Sequence, residues 1–267
     1  MRARFICRTI ITIVLIASIA AGPPLAARQK ADRLFAVIGI TREIKAVEAQ
    51  IEDAKATTIQ GLVFTSGTVG GVRVVAVRSG FGKADAAMAT TLLLDHFSPS
   101  AVFFTGTAGA VDAELNPGDV VIGTEVGYHD LGDVLADSFV RSPTRNPISG
   151  RQDPLFFPAG SDLLAAARRA APGVKQRIRE GVIVTGDAFV ASPARRTELR
   201  KLNASAVEME GAAVAQICAR FGVPSLVIRS ITDRADGSAA QSYSQFVETA
   251  SRNAADLVLA TIREAAK

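Results

Sequence analysis

Tryptophan is absent from this chain of 267 residues, and only 6% of its residues are aromatic. The formal net charge at neutral pH is +4, but no basic run is interleaved with aromatic residues. Nucleic-acid-binding surfaces combine basic stripes with aromatic side chains that stack on bases. The composition therefore argues against a nucleic-acid partner. With 48% hydrophobic and 21% charged residues, the chain has the balance of an ordinary globular protein.

Cysteine and histidine are also scarce. Cys7 lies in an N-terminal segment that we expect to be removed, which leaves Cys218 alone and excludes an intrachain disulfide. The two histidines, His96 and His129, show no metal-ligand spacing to each other or to a cysteine. The Lys-containing phosphate loop and the Gly-x-Ser-x-Gly nucleophile motif are both missing. The sequence therefore predicts neither a metal site nor a cofactor.

The apolar run at residues 9–22 is shorter than the roughly 18–20 residues that span a bilayer. A basic segment (residues 1–8) precedes it, and Pro, Leu and Ala follow at residues 24–27. This order is typical of a secretory signal peptide. We predict a signal peptide at residues 1–27, a catalytic domain at residues 28–267 and export to the periplasm. The alternative is an uncleaved anchor, which would be the chain's only contact with a membrane.

Short apolar segments alternate with amphipathic ones beyond residue 34. Buried strands are predicted at residues 35–38, 101–105, 120–124, 182–185 and 225–229, and helices at 83–97, 210–221 and 246–266. Residues 62–68 and 72–78 flank Gly70 and Gly71, a sequence typical of a hairpin turn. The pattern predicts a single α/β domain with a central mixed, mostly parallel sheet flanked by helices. Residues 138–158 are predicted to form an excursion that serves as a lid or a subunit contact.

Ligands of such sheets bind beyond the carboxyl ends of the strands. Glu43, Phe189 and Asp233 follow predicted strands, and Thr107 lies in a glycine-rich turn predicted at residues 105–109. A shielded Asp233 would have a raised pKa and would be able to donate a proton, although a lone aspartate at a strand end also suits a turn or a helix cap. Phe189 suits either stacking on a flat base or packing in the core.

Two carboxylates, Glu208 and Glu210, bracket Met209. Residues i and i+2 of an extended segment point the same way, so one of the two carboxylates would address ligand hydroxyls, with the thioether packed against a sugar. A solvated helix start is the alternative, because acids are favoured there. Breaking an N-glycosidic bond requires a proton donor for the base, a proton acceptor for water and carboxylates for the sugar, and it requires no metal.

Seven short strings decide between these alternatives. The chain resembles the nucleoside phosphorylase/nucleosidase superfamily, closest to its methylthioadenosine/S-adenosylhomocysteine nucleosidases, over residues 34–265. The strings, in the family's order, are SGFGK (79–83), TGTAG (105–109), PGDVV (117–121), YHD (128–130), TGDAF (185–189), VEME (207–210) and RSITD (229–233).

The resemblance implies four catalytic residues. Glu43 would activate water, Thr107 and Arg229 would help to hold that water, and Asp233 would protonate N7 of the base. The segment before Glu43 is one residue shorter than is usual in the family, which makes its assignment the weakest of the four.

The resemblance also implies the substrate contacts, which are Phe189, Val190, Met209, Glu210, Thr232 and Tyr243. Phe189 would stack on adenine, and the backbone of Val190 would read the edge of the base. Glu210 would bond the ribose hydroxyls, and Tyr243 would cover the 5′ substituent. Residues 131–158 diverge where relatives build the 5′ pocket and the homodimer contacts, so a homodimer is implied and the 5′ specificity stays open.

We therefore expect a hydrolase that releases a purine base from a nucleoside such as 5′-methylthioadenosine or S-adenosylhomocysteine. A phosphate-dependent phosphorylase is the first alternative, but Arg78 is the only arginine near residues 79–83. The second alternative is an exported nucleoside-binding protein without catalysis. A third keeps hydrolysis and changes the substrate to a futalosine-like nucleoside or to adenosine.

Overall fold

The computed structural model describes residues 33–40 and 42–267. The predicted signal peptide, residues 1–27, lies outside the described residues, so it stays a prediction. No helix among the described residues is long and apolar enough to cross a membrane.

Twelve strands and six α-helices form the described part of the chain. The strands are β1 (Phe35–Gly39), β2 (Glu52–Ile59), β3 (Leu62–Val69), β4 (Val72–Arg78), β5 (Ala101–Ala110), β6 (Val120–Tyr128), β7 (Gly132–Val134), β8 (Phe139–Arg141), β9 (Phe157–Pro158), β10 (Ile178–Thr185), β11 (Ala204–Glu208) and β12 (Ser225–Asp233). The helices are α1 (Lys45–Glu48), α2 (Gly82–Phe97), α3 (Ser161–Ala170), α4 (Pro193–Arg200), α5 (Gly211–Phe221) and α6 (Ala239–Ala266), with a 3-10 turn at Ala171–Gly173.

The central sheet has ten strands and is mixed. Its order is β11-β10-β6-β12-β5-β1-β4-β3-β2, with β9 beside β6. Strands β1, β4, β5 and β12 run parallel to their neighbours in that part of the sheet, as do β6, β10 and β11 in theirs. Strand β11 also pairs antiparallel with β5, so β5, β12, β6, β10 and β11 close into a ring. The predicted α/β domain with a mixed sheet is confirmed.

Two helical layers cover the sheet, and β1 shows why. All five of its residues are buried, with Ala36 and Ile38 on one face and Phe35 and Val37 on the other. A strand buried on both faces has this continuous apolar character, with alternate side chains entering opposite cores. One core lies under α2 and α5, and the other lies under α3 and α6.

The predicted hairpin is confirmed: β3 and β4 pair antiparallel across Gly70 and Gly71, which have φ values of 56° and 79°. Two positive φ angles in succession suit a tight hairpin turn and favour glycine. The glycine-rich turn predicted at residues 105–109 is wrong, because this segment is the second half of β5. Strand β12 likewise continues to Asp233, and a register shift between Ile231 and Asp233 places that aspartate beside Gly109.

Candidate active site

A cavity of about 440 Å³ lies at the carboxyl ends of β5, β11 and β12 and beside the first turns of α6. Nine of the ten residues predicted from the sequence line it: Glu43, Thr107, Phe189, Val190, Met209, Glu210, Thr232, Asp233 and Tyr243. The tenth, Arg229, is buried behind the cavity and is only 1% exposed. The structure therefore brings together residues that are up to 200 positions apart in the sequence.

Glu43 lies at the start of the helical turn after β1 and is buried. Its Oε1 accepts a hydrogen bond from the backbone N–H of Thr107 at 3.1 Å and another from the Thr107 hydroxyl. Burial raises the pKa of Glu43 to about 7, against the opposing effects of Arg229 and of the Thr107 hydrogen bonds. A carboxyl group with that pKa is able to take up a proton near neutral pH.

Gly106 allows this arrangement. A Cβ atom at Gly106 would overlap Oε2 of Glu43 and would lie 2.8 Å from Nη1 of Arg229. A glycine inside a strand often marks such a close approach. The glycine therefore lets a carboxyl and a guanidinium group come up to the backbone of β5 from the same side.

Arg229 forms a buried ion pair with Glu208, with 2.6 Å between Nη2 and Oε2. The guanidinium carbon also lies 3.9 Å from the centre of the Phe104 ring. Glu208 in turn accepts hydrogen bonds from the backbone N–H groups of Glu210 and Gly211 at 3.1 and 2.7 Å. The side chain of Glu208 is thus turned toward Arg229 and the start of α5, and it was not among the predicted site residues.

Glu210 is the residue that immediately precedes α5, and it is buried. Its Oε1 accepts a hydrogen bond from the backbone N–H of Gly82 at 2.8 Å. Burial and the negative charge of Glu208 raise the pKa of Glu210 to about 8. No described residue donates to Oε2 of Glu210, so this oxygen remains available to a ligand hydroxyl.

Asp233 ends β12, and two hydrogen bonds orient its carboxyl group. The Thr232 hydroxyl donates to Oδ2 at 2.8 Å, and the backbone N–H of Ala235 donates to Oδ1 at 2.8 Å. A Cβ atom at Gly109 would lie 2.8 Å from Oδ1, so this second glycine of β5 makes room for Asp233. Burial raises the pKa of Asp233, which favours the protonated acid.

Aromatic side chains stand at the mouth of the cavity. The rings of Phe189 and Tyr243 meet edge to face with 5.9 Å between their centres. Phe189 is 49% exposed and Phe81 is 63% exposed, so neither is a core residue. Exposed aromatic faces beside a cavity suit a flat ligand. Phe81 also lines the cavity and is not among the predicted site residues, although it belongs to the motif SGFGK.

A network of charged groups joins the two loops that carry Phe81 and Phe189. Lys83 Nζ lies 2.8 Å from Oδ2 of Asp130 and 3.5 Å from Oδ2 of Asp187. The backbone N–H of Lys83 donates to Asp187, and that of Asp187 donates to Asp130. The three residues therefore fix the loop after β4 against the loop after β10. They belong to three of the seven strings, but sequence spacing does not reveal that they meet.

The arrangement combines an acid whose pKa burial raises, a carboxyl group with a pKa of about 7 and a third carboxyl group able to bind hydroxyls. These groups surround a cavity of the size that accommodates a small molecule. Among the residues at 33–40 and 42–267, no group of three or more His, Cys, Asp or Glu side chains is placed to hold a metal ion. The site is suited to acid–base chemistry on a neutral, hydroxyl-bearing substrate.

A sequence profile of the Phosphorylase superfamily matches residues 34–263. Among curated proteins, the chain is 39% identical over 227 residues to the 5′-methylthioadenosine/S-adenosylhomocysteine nucleosidase of Psychromonas ingrahamii, covering 83% of this chain and 95% of the relative. It is 38% identical over 230 residues to the nucleosidase of the same description from Halalkalibacterium halodurans, covering 85% and 96%.

Solved structures show the same relationship. The Neisseria meningitidis 5′-methylthioadenosine/S-adenosylhomocysteine nucleosidase, in complex with methylthio-immucillin-A, has a TM-score of 0.79 and 36% identity and covers 86% of this chain and 99% of its own. The futalosine hydrolase of Helicobacter pylori has a TM-score of 0.77 and 31% identity and covers 87% and 98%.

Gly106→Ala tests the close approach at β5. The added Cβ would displace Glu43 or Arg229, and displacing a catalytic group by about 1 Å can cost on the order of a hundredfold in rate. We expect the turnover of the cognate substrate to fall by about that factor while the fold, measured by circular dichroism, is retained. Gly173→Ala is the control, because a Cβ there meets nothing within 4 Å. Equal turnover in the two variants would contradict this account of the site.

Proposed function

The chain belongs to the Phosphorylase superfamily, and from that membership we propose that it hydrolyses the N-glycosidic bond of 5′-methylthioadenosine and S-adenosylhomocysteine, releasing adenine. The observation that carries the proposal is the presence of Glu43, Glu210 and Asp233, each buried, around one cavity in a fold shared with solved nucleosidases. The relatives do not favour a phosphorylase or a binding protein without catalysis.

Asp233 acts on the leaving base. Burial raises its pKa and so favours the protonated acid, and the hydrogen bonds from Thr232 and Ala235 fix the direction of the carboxyl group. The proton passes to N7 of adenine while the bond between C1′ and N9 breaks and its electron pair goes to the base. Protonation is needed because an unprotonated purine is a poor leaving group.

Glu43 acts on water. The water oxygen bonds to C1′ as positive charge develops on the sugar, and the proton that the water loses passes to Glu43. A pKa of about 7 makes Glu43 a stronger base than an ordinary carboxylate and still leaves a large part of it ionised at neutral pH. Thr107 holds Glu43 through two hydrogen bonds, so the base is oriented before the substrate arrives.

Glu210 binds the ribose. The backbone N–H of Gly82 donates to Oε1 of Glu210, so Oε2 is left to accept a hydrogen bond from a sugar hydroxyl. Met209 packs against the sugar, and Phe189, with the backbone of Val190, receives the base. Tyr243 lies near the predicted position of the 5′ substituent, where a thioether would contact its ring.

We propose in addition that two copies of the chain form a homodimer through the hairpin of β7 and β8. This hairpin is a separate two-stranded sheet in which Val134 is 84% exposed, Leu135 54% and Val140 50%. Arg141 ties it to the carbonyl oxygen of Tyr128 at 3.1 Å, near the cavity. Clustered exposed apolar side chains are typical of interaction surfaces, and two-fold homodimers are the commonest assembly.

Export remains the proposal for localisation. The superfamily profile begins at residue 34, so the preceding segment is additional to the matched domain. That segment has the basic, apolar and small-residue order of a signal peptide. The mature protein would then begin at about residue 28.

The activity is tested by incubating the purified protein with a panel of nucleosides, with and without phosphate. We expect adenine to be released from methylthioadenosine in phosphate-free buffer, as measured by chromatography of the free base. Futalosine and adenosine are the panel members that test the alternative substrates. Release of adenine that depends strictly on phosphate would contradict hydrolysis.

The variant Asp233→Asn tests the proposed acid. It should lower turnover at least about a hundredfold while substrate affinity, measured by calorimetry, changes little. Full turnover in the variant would contradict the assignment of Asp233 as the acid.

The dimer is tested by light scattering after size-exclusion chromatography. Val134→Lys places a charge in the exposed apolar cluster and should convert the dimer into a monomer. Val63→Lys, at an exposed valine of β3 that is 46% accessible, is the matched control and should remain dimeric. A monomeric wild-type chain, or a dimer unaffected by Val134→Lys, would contradict the assignment of the interface.

Export is tested by expressing the full chain in a Gram-negative host and separating the periplasm from the cytoplasm. We expect the periplasmic protein to lack about the first 27 residues, as measured by mass spectrometry of the intact chain. Full-length protein in the membrane fraction would indicate the anchor, and full-length protein in the cytoplasm would contradict export.

A further inference from the structure

Glu208 has no part in the proposed reaction, yet four donors converge on it. Its Oε2 accepts from Nη2 of Arg229 at 2.6 Å and from the backbone N–H groups of Glu210 and Gly211 at 3.1 and 2.7 Å. Its Oε1 accepts from the hydroxyl of Thr185. A side chain that only accepts hydrogen bonds behaves as an ionised carboxylate.

The direction of the Thr185 bond follows from its other partner. The backbone N–H of Ala212 donates to the Thr185 hydroxyl oxygen at 2.8 Å. The hydroxyl proton is therefore free to point at Glu208. Thr185 thus completes the set of donors without adding charge.

Among the described residues, Glu208 is the one that makes a short hydrogen bond to the guanidinium group of Arg229. The remaining hydrogen bonds of Arg229 are long, at 3.4 Å to the carbonyl oxygen of Phe104 and 3.5 Å to that of Ile228. Its buried Nε has no hydrogen-bond partner among the described residues. Glu208 therefore supplies the short, charged contact that orients the guanidinium group, which also lies 3.9 Å from the centre of the Phe104 ring.

Glu43 lies near Nη1 of Arg229, the terminal nitrogen that does not bond Glu208. A Cβ atom at Gly106 would meet both Glu43 and Nη1 of Arg229, so the two groups approach the same point. Within the described residues, however, the ion pair of Arg229 is with Glu208 and not with Glu43. An arginine paired directly with Glu43 would hold that carboxylate ionised and reduce its basicity.

We propose that Glu208 is a positioning residue that holds Arg229 away from Glu43, leaving Glu43 free to take the proton of water, and fixes the first residues of α5 so that Glu210 meets the ribose. The inference rests on the proposed function of the site. Glu208 borders the cavity, but we assign it no contact with the reacting atoms or the sugar, and it acts through Arg229 and through the backbone of Glu210 and Gly211.

The pH dependence of catalysis distinguishes this role from a purely structural one. Four titratable or charged groups face Glu43: Arg229 of β12, Glu208 of β11, Glu210 at the start of α5 and Tyr243 of α6. Glu43 acts as a base when ionised, so kcat/KM rises with pH through its pKa. Removing the negative charge of Glu208 takes away an effect that raises this pKa, and it releases Arg229, which lowers it.

Glu208→Gln should therefore move the acid limb of the kcat/KM profile to lower pH by about one unit or more, since a charge at this range shifts a pKa by that amount. Because a carboxylate with a lower pKa is a weaker base, kcat on the plateau should also fall, by up to about tenfold for each pKa unit. The alkaline limb, set by Asp233, should stay in place. Thr185→Val is the matched control, because it removes a donor of Glu208 but no charge, and its acid limb should not move.

Two further variants keep the test decisive. Glu208→Asp retains the charge, but its shorter side chain moves the charge away from Arg229. We expect the acid limb to shift in the same direction by a smaller amount, and this variant provides the test if Glu208→Gln does not fold. In the double variant Glu208→Gln/Arg229→Gln, both charges are absent, and the acid limb should return toward that of the wild type. A loss of activity with an unmoved acid limb in the single variants would overturn the proposal, as would a double variant that keeps the full shift. A wild-type protein that releases no adenine without phosphate would instead refute the proposed function.

Discussion

The buried ion pair between Arg229 and Glu208 is the interaction on which the geometry of the site depends. The two side chains are 1% and 2% exposed, and removing such charges from water costs several kcal/mol for each ion, to an order of magnitude. A close contact of 2.6 Å and additional donors to the carboxylate offset that cost. Arg229 belongs to β12 and Glu208 ends β11, and these strands pair with β5 but not with each other. The ion pair therefore links β11 directly to β12, two strands of the ring that do not pair with each other.

This pairing affects the two other glutamates of the site. Arg229 forms its ion pair with Glu208, and among the described residues Glu43 and Glu210 are buried without an ion-pair partner. Asp233 is also buried without one, at the end of β12. Burial raises the pKa of each, to about 7 for Glu43 and about 8 for Glu210. Hydrolysis of an N-glycosidic bond at neutral pH needs a donor and an acceptor of protons in the same cavity. Desolvation is the main cause for all three carboxyl groups, and neighbouring charges and hydrogen bonds set the differences between them.

The sequence was sufficient for the fold class and for locating most of the cavity, because the strings around Thr107, Phe189, Glu210 and Asp233 are local. It was insufficient wherever a contact joins distant segments. Gly82 donates to Glu210 across 128 positions, and Arg229 pairs with Glu208 across 21, and neither contact leaves a periodic signal in the chain. In the sequence, Glu208 stands out only as a neighbour of Glu210 on an extended segment. The structure separates the two, because β11 ends at Glu208 and the next turn redirects Glu210 toward the cavity. The roles of these residues in catalysis stay predictions.

The segment of β5 from residue 105 to 109 explains the largest error in the predicted secondary structure. Glycines weaken a strand because they add conformational freedom and lack a side chain that would pack. For that reason the motif TGTAG predicts a turn. Strand β5 tolerates Gly106 and Gly109 because it pairs with three strands, β1, β12 and β11. Each glycine faces a carboxyl group, Glu43 or Asp233, at a distance that no side chain would allow. Strand β5 therefore pairs with three neighbours and also carries two glycines that face these carboxyl groups. The absence of a Cβ atom at Gly106 and at Gly109 leaves the space that Glu43 and Asp233 occupy.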